Sequence, residues 1–295
     1  MLGGLAAVGL WGGARAVARA DSGEKRSLRV AFLTDSHLPV SPGENARMST
    51  MLDRLLGQSE KPDLIILGGD NVMAVDEEEE KNTVAAAQAQ FDNFVTKVME
   101  RLKCPSLSVI GNHDIFWKDS QVSPAGDPKR RAMTAYRMPN RYYSHQAGGW
   151  KFLLLDTFHA DGCRIDDSQF QWLERELHSA TGPIALVSHA PILTVTGLLE
   201  SKVESKGKYI MPDGWMVGDV EKLKDLFLRR PHVKLALSGH MHQVDRVDYQ
   251  GVSYICGGAV SGNWWKDKYL GFGPAYVMLD LFADGSYHHE VVFWE

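Results

Sequence analysis

Short apolar runs alternate with longer amphipathic stretches through the first two thirds of the chain. The runs are four to six residues long, which is typical of buried strands, and they lie at 28–33, 63–67, 106–110, 184–187 and 233–237. The stretches between them repeat their apolar residues with a helical period, at 44–59, 82–103, 166–179 and 219–230. This alternation predicts strands joined by helical crossovers.

The C-terminal part differs, because the helical period ends near residue 243. One hairpin is predicted over 244–249 and 252–255, around the turn Gln250-Gly251. A second is predicted over 276–282 and 287–293, around Asp284-Gly285. Crossover units followed by antiparallel hairpins indicate an α/β fold in which two mixed β-sheets pack together with helices outside them.

Each of the five apolar runs is followed by Asp, Asn or His. The segments after the runs are Thr34-Asp35-Ser36-His37, Gly68-Gly69-Asp70, Gly111-Asn112-His113-Asp114, Ser188-His189 and Gly239-His240-Met241-His242. Polar residues that follow strands of one sheet are expected to meet at its carboxyl edge. The functional signal is the convergence of five segments, since none would be persuasive alone.

Carboxylates and imidazoles together are ligands for zinc, manganese or iron. Seven candidate ligands exceed the four that one tetrahedral ion takes; they are Asp35, His37, Asp70, Asn112, His189, His240 and His242. Two divalent or trivalent metal ions (Mn, Fe or Zn) are therefore predicted. Asp70 is the candidate bridge between them, because Gly68 and Gly69 permit a close backbone approach.

The charge of such a centre favours an anionic substrate, namely a small-molecule phosphate ester. Two divalent ions bring about +4, and Asp35, Asp70 and one hydroxide reduce this to about +1. His113 is predicted to be the catalytic acid that protonates the leaving oxygen. Asp114 is predicted to orient the His113 imidazole.

Composition and charge are ordinary for a globular protein, with 44% hydrophobic and 23% charged residues. Nothing along the chain resembles a linker between two cores, so residues 21–295 are predicted to form one domain. The net charge of −5 provides no basic field, and no nucleic-acid partner is expected.

The first twenty residues resemble the second half of a secretory signal. Residues 2–13 carry no charge, and the small-x-small site Ala18-Arg19-Ala20 precedes Asp21. We predict export to the periplasm or the extracellular space, with a flexible extension of a cytoplasmic protein as the alternative. The apolar part is too short for a stable membrane span.

Taken in chain order, the five segments resemble the motifs of the calcineurin-like metallophosphoesterase superfamily: D-x-H, G-D, G-N-H-D/E, H and G-H-x-H. The resemblance runs from Asp35 to His242. It implies a four-layer αββα sandwich with a dinuclear metal centre and with His113 as the proton donor. One ion would be held by Asp35, His37, Asp70 and His242, and the other by Asp70, Asn112, His189 and His240.

Departures from the motifs of particular branches narrow the choice. Purple acid phosphatases carry a tyrosine ligand where this chain has Met73, and the G-D-x-V-D-R-G segment of Ser/Thr protein phosphatases is absent from the sequence. The closest pattern is that of class III cyclic-nucleotide phosphodiesterases and purple-phosphatase-like relatives. Trp264 and Trp265, beyond the last motif, either stack on a base or sugar or form a packed rim.

The leading hypothesis is therefore a metal-dependent hydrolase that cleaves phosphate monoesters or diesters by attack of a metal-bound hydroxide at phosphorus. One alternative is a metal-dependent nuclease, for which Lys129-Arg130-Arg131 is the obvious basic cluster. Another is a catalytically silent metal-binding scaffold, although such members typically lose ligands that this chain keeps.

Overall fold

The computed structural model describes residues 25–76, 83–119, 126–200, 204–205 and 208–295. The predicted targeting segment, residues 1–20, lies outside them, so export stays a prediction. Within the described parts of the chain, the helices are α1 (Pro42–Leu56), α2 (Val84–Lys97), α3 (Arg130–Ala135), α4 (Asp167–Ser179), α5 (Thr196–Glu200) and α6 (Val220–Leu228), with 3₁₀ turns at Met99–Arg101 and Asn112–Asp114.

The strands of the described residues fall into two large sheets and two short ribbons. They are β1 (Leu28–Leu33), β2 (Leu64–Leu67), β3 (Ser106–Ser108), β4 (Tyr143–Ala147), β5 (Trp150–Leu154), β6 (Phe158–His159), β7 (Gly162–Cys163), β8 (Ile184–Val187), β9 (Glu204–Ser205), β10 (Lys208–Tyr209), β11 (Val233–Ser238), β12 (Val244–Tyr249), β13 (Val252–Gly257), β14 (Ala275–Leu281) and β15 (Tyr287–Phe293). The large sheets have the orders β15-β14-β1-β2-β3 and β12-β13-β11-β8-β5-β4.

Both large sheets are mixed, as the sequence predicts. In the first, β1, β2 and β3 run parallel, while β14 pairs antiparallel with both β1 and β15. In the second, β13, β11, β8 and β5 run parallel, and the outer strands β12 and β4 pair antiparallel with their neighbours. The five motif segments follow β1, β2, β3, β8 and β11. These strands belong to the parallel parts of the two sheets, and their carboxyl ends lie at the same edge of the sandwich.

Alternate residues along each strand face different layers, which produces a four-layer αββα sandwich. From β1, Val30 and Phe32 enter the core between the sheets, where Phe152 and Leu235 of the other sheet also lie. The intervening residues Ala31 and Leu33 instead pack with the apolar faces of α1 and α2. On the far side, α4 and α6 cover the outer face of the second sheet.

The predicted hairpins and helices are present, with shifted ends. The second helix stops at Lys97 rather than at residue 103, because Val98 leaves helical geometry and a 3₁₀ turn follows. The hairpin of β4 and β5 was not predicted. Its turn is Gly148-Gly149, and both glycines have positive φ (56° and 80°), as a two-residue hairpin turn requires.

No helix among the described residues combines the length and the apolar character needed to cross a bilayer.

Phe32 lies in the core between the two sheets, next to the edge that carries the motif segments. Its replacement tests how the two sheets pack together. A Cβ on Gly68 would lie 2.7 Å from Phe32 Cζ, so this fully buried ring packs directly under the second motif segment. Phe32→Ala should lower the free energy of unfolding by about 3–5 kcal/mol in a urea titration, because it leaves a cavity. Phe293→Ala, at a side chain 51% exposed on β15, should change it by less than about 0.5 kcal/mol. Equal losses in both variants would contradict this packing.

Candidate metal centre

The five motif segments meet at one edge of the two sheets. His37 Nε2 lies 3.0 Å from His242 Nε2 and 3.6 Å from Asp70 Oδ2. His189 Nε2 lies 3.1 Å from the same Asp70 oxygen. Asp35 Oδ1 lies 3.3 Å from His242 Nε2 and 3.9 Å from His189 Nε2. These side chains form one buried cluster.

His240 and Asn112 complete the set that the sequence singles out. Among the described residues, three groups have potential ligand atoms that lie within 4.8 Å of one another: Asp35, His37 and His242; His37, Asp70 and His113; and Asp70, His189 and His240. Asn112 Oδ1 is buried and has no hydrogen-bond partner among the described residues. The adjacent backbone N–H of His113 donates to Asp70 Oδ1 at 2.9 Å, which places Asn112 beside the cluster.

The backbone of these segments is held in an unusual conformation. Positive φ angles occur at Asp35 (53°), His37 (40°), Asp70 (51°), His240 (72°) and His242 (55°). Each such angle in a residue other than glycine costs on the order of 1–3 kcal/mol and persists only where surrounding structure enforces it. Here the first two segments enforce it on each other, since Asp35 N donates to Gly69 O at 3.0 Å and His37 N to Asp70 O at 2.9 Å.

Gly69 and Gly239 allow these segments to approach one another. Gly69 has φ 91°, and a Cβ there would lie 2.6 Å from His189 Nδ1. A Cβ on Gly239 would collide with the hydroxyl of Thr34 and with Asp35 Oδ2. The glycines flanking the motif ligands are thus required by close packing and, at Gly69, by the left-handed conformation.

Each of the four clustered histidines donates one ring N–H to a backbone carbonyl. Nδ1 is the donor in three, with distances of 3.1 Å from His37 to Met73 O, 2.7 Å from His189 to Gly68 O and 2.9 Å from His242 to Gly262 O. In His240 the donor is Nε2, which lies 2.9 Å from Gly214 O. Such bonds set the ring orientation and leave the other nitrogen as an unprotonated ligand in the neutral ring.

Acceptor atoms therefore converge without donors between them. In neutral rings, the Nε2 atoms of His37 and His242 would present two lone pairs to each other at 3.0 Å. Within the described residues, His240 Nδ1 and His189 Nε2 are buried without an aligned hydrogen-bond partner. Buried polar atoms are normally paired, so this arrangement fits a cation. The donor set of imidazoles and carboxylates suits a divalent transition metal.

The pKa values of the clustered side chains also indicate that the site favours a positive charge. Burial disfavours a charged His189, but Asp70 and Asp35 outweigh it and raise the pKa of His189 to about 10. Burial likewise opposes ionisation of Asp70, yet His189 and then His113 hold the pKa of that carboxyl well below its usual range. Burial lowers the pKa of His37 to about 3 and, with the charge of His189, that of His240 to about 4. A divalent ion would replace the proton on His189.

Comparison with known proteins agrees with this geometry. The family model described as calcineurin-like phosphoesterase matches residues 28–244. The chain belongs to the calcineurin-like phosphoesterase family. As a member of that family with these clustered ligands, it is a metal-dependent hydrolase of phosphate esters that uses divalent metal ions.

Relatives of this phosphoesterase align along most of its length. A protein of Synechococcus described as a probable cyclic nucleotide phosphodiesterase is 26% identical over 92% of this chain and 94% of its own. The 3',5'-cyclic adenosine monophosphate phosphodiesterase CpdA of Escherichia coli K12 is 24% identical over 92% and 90%. The fold is similar to that of a dimetal phosphatase of Danio rerio, with a TM-score of 0.61, 11% identity, and coverage of 92% of this chain and 100% of that one.

The predicted acid, His113, lies at the rim of the phosphoesterase cluster. Its side chain keeps 24% exposure, whereas His37 and His189 are fully buried. One of its ring nitrogens lies within 4.8 Å of ligand atoms of His37 and Asp70. Burial opposes its charged form, but Asp70 and Asp76 raise the pKa of His113 to about 9. In the metal-free protein the ring is therefore protonated at neutral pH and lies beside the cluster.

The prediction that Asp114 orients His113 is wrong. Asp76 does so instead, because its Oδ1 accepts from His113 Nδ1 at 2.7 Å. No sequence signal distinguishes Asp76, which is separated from His113 by 37 positions. The contact depends on how the loop after β2 folds back on the third segment, where Val75 N donates to His113 O at 2.9 Å.

Asp114 is a structural carboxylate that ties the second segment to the third. It is fully buried and accepts from the hydroxyl of Tyr136 at 2.6 Å, from Asn71 N at 3.0 Å and from Gly111 N at 2.9 Å. Burial, followed by the charge of Asp70, raises the pKa of Asp114 to about 6. Oδ1 also accepts from Val72 N at 3.3 Å, so these backbone and phenol donors, and not the His113 ring, are the hydrogen-bond partners of the carboxylate.

The basic cluster that favours a nuclease is largely neutralised. Lys129 is 5% exposed, and its Nζ binds both oxygens of the buried Asp156 at 2.7 and 2.6 Å. Arg131 pairs with Asp119 at 2.8 and 2.9 Å. Arg130 is the exposed member of the cluster. Two of the three cations thus hold the fold together rather than form a strand-binding groove.

Replacing Asp76 tests its effect on His113 in the metal-free protein. Since Asp76 favours the imidazolium, Asp76→Asn should lower the pKa of His113 from about 9 towards its ordinary value. The pKa is measured by NMR titration of the imidazole in metal-stripped protein. Asp53→Asn removes an exposed carboxylate bound to Arg101 and should leave the His113 titration unchanged. An unchanged titration in Asp76→Asn would contradict the contact.

Proposed function

We propose that this phosphoesterase hydrolyses cyclic nucleotides with the help of two divalent metal ions. The observation that carries the proposal is that Asp70 Oδ2 lies 3.6 Å from His37 Nε2 and 3.1 Å from His189 Nε2, so that Asp70 is shared between a ligand group that contains His37 and one that contains His189 and His240. A carboxylate shared by two ligand groups is suited to bridge a pair of ions. The choice of substrate is supported by the Synechococcus and E. coli relatives, which are described as cyclic-nucleotide phosphodiesterases.

The chain has a complete set of ligands for such a pair. One ion would be held by Asp35, His37, Asp70 and His242, and the other by Asp70, Asn112, His189 and His240. When bound, the ions supply a Lewis acid for the phosphoryl oxygens and a water of lowered pKa. The orientation of Asp35 suits this assignment. Its Oδ2 accepts from Thr34 Oγ1 at 2.6 Å, the two carboxylate oxygens share the N–H of His240 at 2.9 and 3.1 Å, and Oδ1 faces His242 Nε2 at 3.3 Å.

His113 would handle the proton of the leaving group. Hydrolysis of a cyclic diester adds one water across a phosphorus–oxygen bond: phosphorus gains the water oxygen, and the released ribose oxygen must gain a proton. A protonated His113 gives that proton, and the proton released by the attacking water restores the imidazolium. Asp76 holds Nδ1, so Nε2 is the nitrogen that exchanges the proton.

The two alternatives have less support than this proposal. A nuclease would need a basic groove that follows a strand, but Lys129 and Arg131 are engaged with Asp156 and Asp119. A catalytically silent metal-binding scaffold would need the ligands but no proton donor, whereas this chain places His113 beside them and holds its ring through Asp76 at 2.7 Å.

A substrate panel after metal stripping tests the proposal. The protein is chelated, reconstituted with Mn, Fe or Zn, and assayed on 3',5'- and 2',3'-cyclic nucleotides, bis-p-nitrophenyl phosphate and p-nitrophenyl phosphate. We expect no turnover without metal, and a higher kcat/KM for at least one cyclic nucleotide than for the monoester. Asp70→Ala and His189→Ala should abolish turnover with the fold intact. Activity that survives chelation would refute the metal mechanism, and a preference for monoesters would refute the substrate assignment.

The leaving group provides a separate test of His113. His113→Ala should lower kcat by about 10²–10⁴-fold for esters with alkyl leaving groups, because these require protonation. For p-nitrophenyl esters, whose leaving group is stable as an anion, the loss should be much smaller. His178→Ala, at an exposed position of α4, is the control and should not change either rate. Equal losses on both ester types would argue against the acid role.

A further inference from the structure

The loop between β13 and β14 encloses the Asp35–His37–His242 group. Ser261 Oγ donates to Asp35 O at 2.8 Å, and Trp265 Nε1 donates to His37 O at 2.9 Å. Gly262 O accepts from His242 Nδ1 at 2.9 Å. This loop therefore fixes the backbone of the first motif and the ring of the last histidine, although it lies beyond all five motif segments.

Trp264 of this loop packs on the two histidines of that group. Its ring lies 4.2 Å from the His242 ring, centroid to centroid, with 34° between the planes, and 5.5 Å from the His37 ring. Tyr269 contacts both Trp264 and His242 edge-on, at 5.7 and 5.6 Å. The offset packing of Trp264 on His242 restricts tilting of the imidazole about its hydrogen bond to Gly262.

The loop adopts a costly conformation at this point. Trp264 and Trp265 both have positive φ, 47° and 68°, at a cost on the order of 1–3 kcal/mol each. Trp265 is 5% exposed and packs on Trp294 in the core, so core packing accounts for it. Trp264 is only half-buried, and its ring contacts are with His37, His242 and Tyr269. Strain of this kind is characteristic of functional sites.

We propose that Trp264 is a positioning residue of the metal centre, which holds the His242 and His37 rings in the orientation that the ion bound by Asp35, His37 and His242 requires. The inference rests on the metal assignment proposed above. Groups that orient metal ligands from outside typically contribute about 10–100-fold to metal affinity. Trp264 acts on one of the two ions, because its ring contacts in the described part of the chain are with His37, His242 and Tyr269 and include neither His189 nor His240.

Metal titration of stripped protein tests this role apart from catalysis. Calorimetric titration of Trp264→Ala with Mn²⁺ should show one of two binding steps weakened about 10–100-fold and the other unchanged. Trp264→Phe, which keeps a flat ring, should restore most of the lost affinity. Trp172→Ala is the matched control. Trp172 is also half-buried, but it lies in α4, and its ring packs on that of Tyr142 with 4.9 Å between the centroids. Both Mn²⁺-binding steps of this variant should match those of the wild type.

The activity of Trp264→Ala separates a positioning role from a contact with substrate. At low Mn²⁺ its kcat should fall, and excess Mn²⁺ should restore kcat with an unchanged KM. Wild-type affinity for both ions would overturn the inference, and so would a raised KM for nucleotides that excess metal does not correct. Asp70→Ala distinguishes the two proposals. If this variant binds both ions with wild-type affinity, the metal assignment fails. If it loses metal binding while Trp264→Ala keeps wild-type affinity, only the role of Trp264 fails.

Discussion

Two buried carboxylates, Asp35 and Asp70, determine what the rest of this site must provide. Their side chains are 0% and 2% exposed, and burying an uncompensated anion is very unfavourable. Backbone N–H groups of His113 and His240 and the Thr34 hydroxyl supply part of the compensation. The remainder must be positive charge, carried by His189 in the metal-free protein and by divalent ions in the working enzyme.

The four-layer core is what allows the chain to keep this arrangement. Five residues of the clustered motif segments have left-handed backbone angles, which persist only where surrounding structure enforces them. The parallel strands bring the segments to one edge, and Phe32 packs so closely beneath Gly68 and Gly257 that a Cβ at either position would clash with its ring. The unfavourable free energy of the strained backbone is thus offset by the apolar burial of strands that take no part in the chemistry.

Charged residues around the centre serve mainly to hold these segments together. Asp114 joins the second segment to the third through Tyr136 and backbone donors. The Lys129–Asp156 pair joins the start of α3 to the chain after β5, and Lys129 also donates to Phe158 O. The Phe158 ring in turn lies 5.2 Å from that of His240. Residues that resemble catalytic or binding groups in the sequence therefore have supporting roles here.

The sequence by itself determined which strands precede the motif segments, both C-terminal hairpins and the types of candidate ligand, because these depend on local periodicity and on residues adjacent to strand ends. It did not determine which acid holds His113, whether Lys129 is free, or which of two neighbouring tryptophans faces the histidines. Asp76 rather than Asp114 contacts His113, and Trp264 rather than Trp265 packs on His242. Such choices depend on loop paths and on left-handed backbone angles set by packing between distant segments, and only the tertiary structure decides them.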